Sequence, residues 1–440
     1  METPEMLAFH VSWDASGTGD IKELIMIYYT SDSTLELRKP QSSTLHLKRV
    51  KVPRSLTKSF FVGAQLVVFS RHLRIVDIAN KQTQAYLQHS MEPVICIWRA
   101  SDPQKYSDEL QILLDSGLIL TNCKLLSLEG TLGDYIRSCS PGFSMTGEIS
   151  VMSASAVACF VLRGEQASKV YEQVFKRGAH TSDHVLVCLE HLVVIPALLT
   201  MAVNPFCIGG THLHSKSYRI TSLFVTLFSG FRVASKSAEL PEVLHSQGNE
   251  APSTVEQLAL ALTSKAADTT FNVVAPEVTC CVIKPHALQH TGLVLREILT
   301  SGLSIGAMQS FRLTNLAAME FLEVYKTVLK EYPQMVEELT NGTVVALQLE
   351  GPDAVSRLRR LAGPYDPEVG RCLHPATLRA RLGADVARNA LHCTDLQEDG
   401  PLECSYFFQL VAGAASTECI KGNPEPRLKT PQHLGQSDTI

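Results

Sequence analysis

The 440-residue chain lacks several features that would assign it to a common class of protein. Its start, METPEMLAFHVSWDA, has no basic segment followed by an apolar core, so we expect no secretion signal. Its most apolar run, LVVIPALLTMAV (192–203), contains a proline and is shorter than the roughly 20 residues that span a bilayer. The net charge of −5 gives no general basis for binding nucleic acid or an anionic membrane. We therefore predict a chain without a membrane segment or a nucleic-acid partner.

The cysteines show no metal-binding or redox motif. There are 12 of them, no C-x-x-C occurs, and the only close pair is Cys280–Cys281. Without a secretion signal, they are expected to be reduced thiols in the cytoplasm, several of them buried. A Walker A loop is also absent, so a nucleotide site of that type is excluded.

The length predicts two to four domains, and the patterning divides the chain into five segments. Residues 1–90 contain β-branched and aromatic runs between polar turns, typical of a small β-rich barrel or sandwich. Residues 91–232 and 271–410 alternate strand-like runs with helical patterns, which predicts two α+β units. Residues 233–270 are polar and read as a linker, and residues 411–440 read as a disordered tail.

The second α+β unit can be assigned element by element. Strands are predicted at VTCCVIK, SIGAMQSFRL, TVVALQLE and NALHC. Helices are predicted at HTGLVLREILTSG, from the cap residue Asn315 to Tyr332, at PDAVSRLRRLAG with Pro352 in its first turn, at HPATLRARLG and at GPLECSYFF. This order fits a ferredoxin-like antiparallel sheet with helices on one face.

The two α+β units share a weak internal repeat. LQILLDSGL (110–118) matches LREILTSGL (295–303), and VLRGEQA (161–167) matches QLEGPDA (348–354). The offset sets Arg99 opposite Lys284. The chain therefore looks duplicated.

The segment RNALHCTD places His392 inside a short apolar run. Taken alone, a histidine in a strand is more often a packing residue than a nucleophile. Lys284, Arg359 and Arg379, each taken alone, are solvated charges. Neither reading is excluded by these residues individually.

Taken together, six motifs resemble the nucleoside diphosphate kinase family in order and spacing. They are CVIKPH, EVYK, RRLAGPYDP, HPATLRARLG, RNALHCTD and LECSYFF. The family signature N-x-x-H-x-[ST]-D is met from Asn389 to Asp395, and Glu403 falls where the family has a carboxylate. The resemblance covers about 278–410.

The resemblance implies that His392 accepts the γ-phosphate of a nucleoside triphosphate and passes it to a nucleoside diphosphate. Glu403 and Thr394 would orient its ring, and Mg²⁺ would arrive with the nucleotide. Catalysis would rest on positioning and electrostatic stabilisation of the moving phosphoryl group. The nucleotide-binding residues implied in this way are Lys284, Tyr325, Tyr332, Arg359, Tyr365, Arg379 and Asn389.

Two residues depart from the family pattern: His286 stands where the family usually has Asp, and Tyr365 where a threonine usually contacts phosphate. The first α+β unit departs much further. Arg99 and Ala100 replace the Lys–Pro pair, Glu172 lies near the partner of Arg359, and no Asn-x-x-His occurs. We expect this unit to be catalytically inactive and to pack as an internal pseudo-dimer or present a surface to a partner.

The segment FFVGAQLVVFSRHLRIVDIANKQTQAYL (60–87) is similar to a pleckstrin-homology-like module of ciliary proteins. In a flagellar branch of the family, that module precedes two tandem kinase domains. The resemblance implies partners in tubulin, the axonemal doublet microtubule and its neighbouring inner proteins, and the γ-tubulin ring complex. It implies a location in the cytoplasm and cytoskeleton, at the cilium or flagellum axoneme, basal body or centrosome. The basic residues of 38–54 face either acidic tubulin or solvent.

Two functions remain open at this point. The second α+β unit is a kinase that works through phosphorylated His392, or the whole chain is a structural microtubule inner protein with vestigial or no activity.

Overall fold

The computed structural model describes residues 3–14, 21–40, 44–69, 71–127, 154–176, 184–187 and 277–412. The predicted linker and the apolar run at 192–203 lie outside the described residues, as does nearly all of the predicted tail. In the part of the chain that is described, no helix is long and apolar enough to cross a membrane.

The N-terminal residues form a six-stranded antiparallel sheet with the order β4-β3-β2-β1-β6-β5. Its alternation follows the sequence: in β2, Leu24, Met26 and Tyr28 are buried while their neighbours are not. The helix Lys81–Ser90 is tied to β1, because Ala8 N donates to Thr83 Oγ1 at 2.9 Å. The strands are β1 Met6–Asp14, β2 Ile21–Tyr29, β3 Thr34–Arg38, β4 Leu45–Lys51, β5 Gln65–Val68 and β6 Arg71–Ile78.

Eight further strands form a second sheet with the order β10-β7-β9-β8-β12-β13-β11-β14. Numbered within its own half, each group of four has the same order, 4-1-3-2 from its outer edge. The two halves join where β8 runs antiparallel to β12, with Gln309 opposite Lys124. The strands are β7 Glu92–Arg99, β8 Ile119–Ser127, β9 Ala156–Gly164, β10 His184–Val187, β11 Val278–Ile283, β12 Ser304–Phe311, β13 Val344–Glu350 and β14 Leu391–Cys393.

Helices and helical turns connect these strands. Besides Lys81–Ser90, the α-helices of the described residues are Pro103–Asp115, Ala167–Lys176, Thr291–Thr300, Asn315–Phe321, Tyr332–Thr340, Ala354–Ala362, Pro367–Leu373, Leu378–Leu382 and Asp399–Ser405. Shorter turns are the 3₁₀ segments Arg54–Ser59, Pro285–His290 and Glu323–Tyr325 and the π-helical Tyr406–Val411. One apolar cluster runs through both halves of the eight-stranded sheet.

Two helix predictions differ from the structure, and two helices were not predicted. The helix expected to run from Asn315 to Tyr332 ends at Phe321, and its cap is Thr314, whose hydroxyl accepts from Ala317 N. A new helix begins at Tyr332 because Pro333 fits only a first turn. Pro352 precedes its helix instead of entering it, since Asp353 takes φ +52°. The helix Pro367–Leu373 was not predicted.

The halves share unusual backbone positions as well as strand order. Gly117 and Gly302, which the sequence match sets opposite each other, have φ +94° and +85°. Gln166 and Asp353 have φ +50° and +52°, immediately before their helices. Positive φ is uncommon outside glycine, so the agreement is specific.

The helices Pro103–Asp115 and Thr291–Thr300 pack the halves together. Gly292 permits the close approach, because a Cβ there would lie 2.4 Å from Ser107 O. Gln111 fixes the pair with two bonds: its Nε2 donates to Gln289 O at 3.2 Å, and its Oε1 accepts from Leu293 N at 2.9 Å.

Candidate active site

A cavity of about 440 Å³ opens beside β14 in the second half. Seven of the ten site residues predicted from sequence line it: Lys284, Tyr325, Arg359, Tyr365, Arg379, Asn389 and His392. The opposite wall is apolar and is formed by Leu322, Val328, Leu329, Met335 and Leu339. The cavity therefore offers a cationic side for phosphate and an apolar side for a base.

His392 is the centre residue of β14 and pairs with Val282 of β11. Its ring is 7% exposed, and its Nε2 lies 2.9 Å from Glu403 Oε2. A carboxylate can only accept, so this bond selects the tautomer with hydrogen on Nε2. Nδ1 then keeps its lone pair, and it has no hydrogen-bond partner among the described residues.

Glu403 is held in turn by Thr394. The threonine hydroxyl donates to Glu403 Oε2 at 2.8 Å and accepts from Cys280 N at 2.9 Å. The sheet therefore fixes the threonine, the threonine fixes the carboxylate, and the carboxylate fixes the ring. Phe321 also contacts the His392 ring edge-on, with its ring centroid 4.7 Å from that of the imidazole.

A strained turn precedes the histidine. Ala390 has φ +70°, and Leu391 N donates to Asn389 O at 2.9 Å, which closes a three-residue γ-turn. His286 stabilises this turn: its Nε2 accepts from Ala390 N at 3.2 Å, and its Nδ1 lies 2.7 Å from Glu338 Oε1. His286, which stands where the family usually has Asp, thus supports the loop that carries Asn389.

Lys284 is buried at the base of the cavity. Its Nζ donates to Ala387 O and to Asn389 Oδ1, both at 2.7 Å. Burial lowers the pKa of Lys284 to about 7, and the nearby Arg379 charge adds to the effect. Both acceptors are neutral, so a bound anionic phosphate would favour the protonated, charged form of Lys284.

The two arginines differ in their partners. Arg379 donates to Gly363 O at 3.0 Å and to Leu391 O at 3.1 Å, which are neutral oxygens. Arg359 forms an ion pair with Asp395, whose other oxygen accepts from Tyr325 OH at 2.5 Å. Burial opposes ionisation of Asp395, but the bonds from Tyr325 and Arg359 lower its pKa overall. A triphosphate that binds Arg359 must therefore displace or rearrange Asp395.

The tyrosines do not all lie where the sequence placed them. Tyr365 lines the cavity, but its hydroxyl points at Met335 Sδ, 3.1 Å away, while its carbonyl accepts from Asn389 Nδ2. Tyr332 does not line the cavity; it packs on the apolar cluster below, and its hydroxyl is 3.5 Å from Met319 O. Val328 is exposed at the mouth and stands on the apolar wall where a base would lie.

A larger cavity of about 770 Å³ lies on the other side of Arg359. It shares Arg359 and Asp395 with the first cavity but does not reach His392. We assign the chemistry to the smaller cavity because it holds the imidazole, both remaining cations and the apolar wall.

Sequence reasoning missed three features: the Asp395 carboxylate as a competitor for Arg359, the His286–Glu338 pair, and the apolar wall. Asp395 is part of the family signature, so a signal for it existed. The pair joins residues 52 positions apart and has no local signal.

Comparison with known proteins decides the family. The sequence model for nucleoside diphosphate kinase matches residues 277–411. The nucleoside diphosphate kinase of Aquifex aeolicus is 35% identical over 136 residues, which are 30% of this chain and 95% of that protein. The chain belongs to the nucleoside diphosphate kinase family. A crystal structure of the Aquifex aeolicus kinase covers 31% of this chain and 99% of its own, with a TM-score of 0.30.

A second relative matches along nearly the whole chain. Nucleoside diphosphate kinase homolog 7 of Rattus norvegicus is 26% identical over 412 residues, or 92% of this chain and 94% of that protein. The likeness to this family member thus extends beyond the kinase segment into the N-terminal sheet and the first half of the second sheet.

In the first half, the positions that match the kinase site carry other residues. Ile97 pairs with Val185 as Val282 pairs with His392, so valine stands in the place of the histidine. Glu172 is the sixth residue of its helix, as Arg359 is of the matching helix. A carboxylate at that position opposes phosphate binding.

Proposed function

We propose that residues 277–411 transfer the γ-phosphate of a nucleoside triphosphate to a nucleoside diphosphate through His392. The observation that carries this is the ring geometry: Nε2 is held by Glu403, and Nδ1 is left available in a cavity with two cations bonded only to neutral oxygens.

In the first step, the Nδ1 lone pair attacks the γ-phosphorus, and the bond to the β,γ-bridging oxygen breaks. The nucleoside diphosphate leaves with that electron pair. In the second step, a terminal β-phosphate oxygen of another diphosphate attacks the phosphohistidine, and the N–P bond breaks. Lys284, Arg359 and Arg379 stabilise the charge on the equatorial oxygens in both steps.

Mg²⁺ fits this site as a companion of the nucleotide. Among the described residues, no cluster of three or more His, Cys, Asp or Glu could hold a metal. Mg²⁺ commonly binds through phosphate oxygens, waters and one or two carboxylates. Asp395 lines the cavity and is the carboxylate that would reach such an ion. The ion would neutralise phosphate charge.

The rest of the chain serves as a scaffold in this proposal. The matching strand orders and backbone positions support two tandem kinase-like domains, of which the first is inactive. The six-stranded sheet with its helix supports a pleckstrin-homology-like module. We place the protein in the cytoplasm and cytoskeleton, at axonemal doublet microtubules or at the basal body or centrosome, with tubulin and inner proteins as partners.

The direct test is phosphorylation of the full chain by γ-labelled ATP with Mg²⁺, with His392→Ala beside it. We expect an acid-labile, base-stable label on the wild type alone, and added GDP should remove it as labelled GTP. Absence of label on a folded wild-type protein contradicts the proposal.

The alternative is a structural microtubule inner protein with vestigial activity. It is favoured by the first half, which keeps a fully buried core, including Trp98 and Phe160, without a catalytic histidine. Flagellar incorporation of His392→Ala separates the two. Normal incorporation and normal motility support a structural role, whereas normal incorporation with defective motility supports the enzyme.

A further inference from the structure

Three arginines from different parts of the chain converge at one junction. Arg74 comes from β6 of the N-terminal sheet, Arg163 from β9 of the first half, and Arg312 directly follows β12 of the second half. The guanidinium carbons of Arg163 and Arg312 lie 5.1 and 5.3 Å from the centroid of the same ring, that of Phe61.

The strand registers account for this convergence. Arg163 pairs with Ile119 at the start of β8. Because Gln309 is opposite Lys124, the same antiparallel register brings Arg312 level with Thr121, two residues further along β8. On the other side, Leu73 and Ile75 point into the core of the N-terminal sheet. The alternation therefore turns Arg74 outward, toward the two halves.

Polar atoms at the junction are left without partners. Arg163 Nε, Arg312 Nη2 and Gln65 Oε1 are buried and accept or donate no hydrogen bond within the described structure. Gln65 is the strand partner of Arg74. Arg163 is 9% exposed, and the one bond of its side chain to a described residue is long, from Nη1 to Met91 O at 3.4 Å. Buried polar atoms are nearly always satisfied, so these three call for an explanation.

The charges at the junction are also uncompensated. Burial lowers the pKa of Arg312 to about 9, and the positive charges of Arg74 and Arg163 add to that effect. Burial alone lowers the pKa of Arg163 to about 10. Among the described residues, no carboxylate acts on the pKa of Arg163 or Arg312. A buried water could satisfy an N–H group, but being neutral it would not cancel the repulsion between the arginine charges, which is stronger in a low dielectric.

We propose that Arg74, Arg163 and Arg312 form a binding site for one phosphate-sized oxyanion at the junction of the three units. Guanidinium groups present flat arrays of donors that match the oxygens of a phosphate group. A tetrahedral anion would accept from the unpaired Nε and Nη2 atoms, and the Gln65 amide would turn its NH₂ toward it. Bound there, the anion would tie the N-terminal sheet to both halves.

The test measures thermal unfolding of the full chain in phosphate against chloride at equal ionic strength. It uses an Arg359→Gln background, which weakens phosphate binding in the catalytic cavity. We expect the unfolding temperature to rise with phosphate concentration in that background. Adding Arg312→Gln should weaken phosphate binding by roughly tenfold or more. The unfolding temperature of Arg312→Gln in chloride should change little, because the substitution also removes one of three charges that repel each other.

Arg296→Gln is the matched control. Arg296 lies on the helix Thr291–Thr300, and its partly exposed side chain pairs with Asp108 on the helix Pro103–Asp115. It should leave the phosphate response intact. Equilibrium dialysis with labelled phosphate should give one ion bound per chain in Arg359→Gln, and roughly tenfold or more weaker binding when Arg312→Gln is added. Sulfate should replace phosphate, whereas acetate at the same concentration should not.

Two results would overturn the proposal: a stabilisation no larger in phosphate than in chloride, or a phosphate response that survives Arg312→Gln. If Arg312→Gln does not fold, Arg163→Gln and the conservative Arg312→Lys take its place. Each must weaken phosphate binding relative to Arg296→Gln for the proposal to stand.

Discussion

The two halves of the eight-stranded sheet have one strand order but different residues at the candidate site. Each has the same strand order, and a single apolar cluster unites their interiors. Where the second half has His392 and Arg359, the first half has Val185 and Glu172. The comparison shows that the strand order follows the apolar pattern, because it is the same in both halves although the residues at the candidate site differ.

The first comparison to test is the charge at the sixth residue of the two matching helices, Glu172 in the first half and Arg359 in the second. Arg359→Glu gives the second half the residue of the first, and we expect kcat/KM for phosphotransfer to fall by about 10² or more, because one stabilising donor becomes a repelling charge. The mirror change, Glu172→Arg, should leave activity unaltered. Stopped-flow or coupled assays of both variants give the measurement. Activity within threefold of wild type in Arg359→Glu would mean that phosphate binds elsewhere.

A second prediction concerns how the ring is held. Glu403→Gln keeps an acceptor for Thr394 but removes the charge that fixes the imidazole, and we expect kcat to fall roughly 10- to 100-fold from lost orientation. KM should change little, since Glu403 lies behind the ring and outside the cavity. Thr394→Ser, which keeps the hydroxyl, is the control and should stay near wild type. A change in KM alone would contradict a positioning role.

The third prediction tests whether the halves depend on each other. Gly292→Ala places a Cβ against Ser107 O, and we expect a loss of about 1–3 kcal/mol in the free energy of unfolding from overpacking. Urea denaturation of the full chain measures it. Thr300→Ala, an exposed change on the same helix, should stay within about 0.5 kcal/mol of wild type. Equal stability of the two variants would mean that the halves are independent.

The smallest expected effect is the uptake of a proton by Lys284 when nucleotide binds. Lys284 has a pKa of about 7 in the free protein, below the ordinary 10.5, so it is largely neutral at pH 8. A bound phosphate favours the charged form and raises that pKa, so binding should take up close to one proton at pH 8 and almost none at pH 6. Nucleotide affinity should therefore fall as pH rises above about 7, by at most tenfold per unit.

Calorimetry of nucleoside diphosphate binding in two buffers of different ionisation enthalpy measures this uptake. Lys284→Arg is the control, because a guanidinium stays charged across this pH range. Equal uptake in that variant would assign the proton to another group. The first half, which has Arg99 at this position, should make no contribution.

The sequence predicted the long, strongly patterned elements of the second half. The strands at Val278–Ile283, Ser304–Phe311 and Val344–Glu350 and the helix Thr291–Thr300 lie where the apolar periodicity placed them. It failed between 315 and 340: the helix predicted from Asn315 to Tyr332 ends at Phe321, and the helix Tyr332–Thr340 was not predicted. Short helices such as Pro367–Leu373 bury few residues and leave a weak signal.

The candidate site was only partly predictable for a similar reason. Motif spacing brought together seven residues that do line the cavity, but it also included Tyr332, which does not line it, and gave no indication of Val328, which does. The Asp395–Arg359 pair and the His286–Glu338 pair follow from packing between separate elements. No local pattern records such contacts.

The sequence by itself determined the family of this chain, the strands that build the second half, and the absence of the Asn-x-x-His motif from residues 91–232. These follow from residue identity and from periodicity along the chain, because side-chain burial repeats with the period of the strand or helix. Tertiary structure alone decided the ring tautomer of His392, the lowered pKa of Lys284 and the approach of Arg163 and Arg312 to the ring of Phe61. Those properties depend on distances and burial between residues far apart in sequence, which only the packed chain creates.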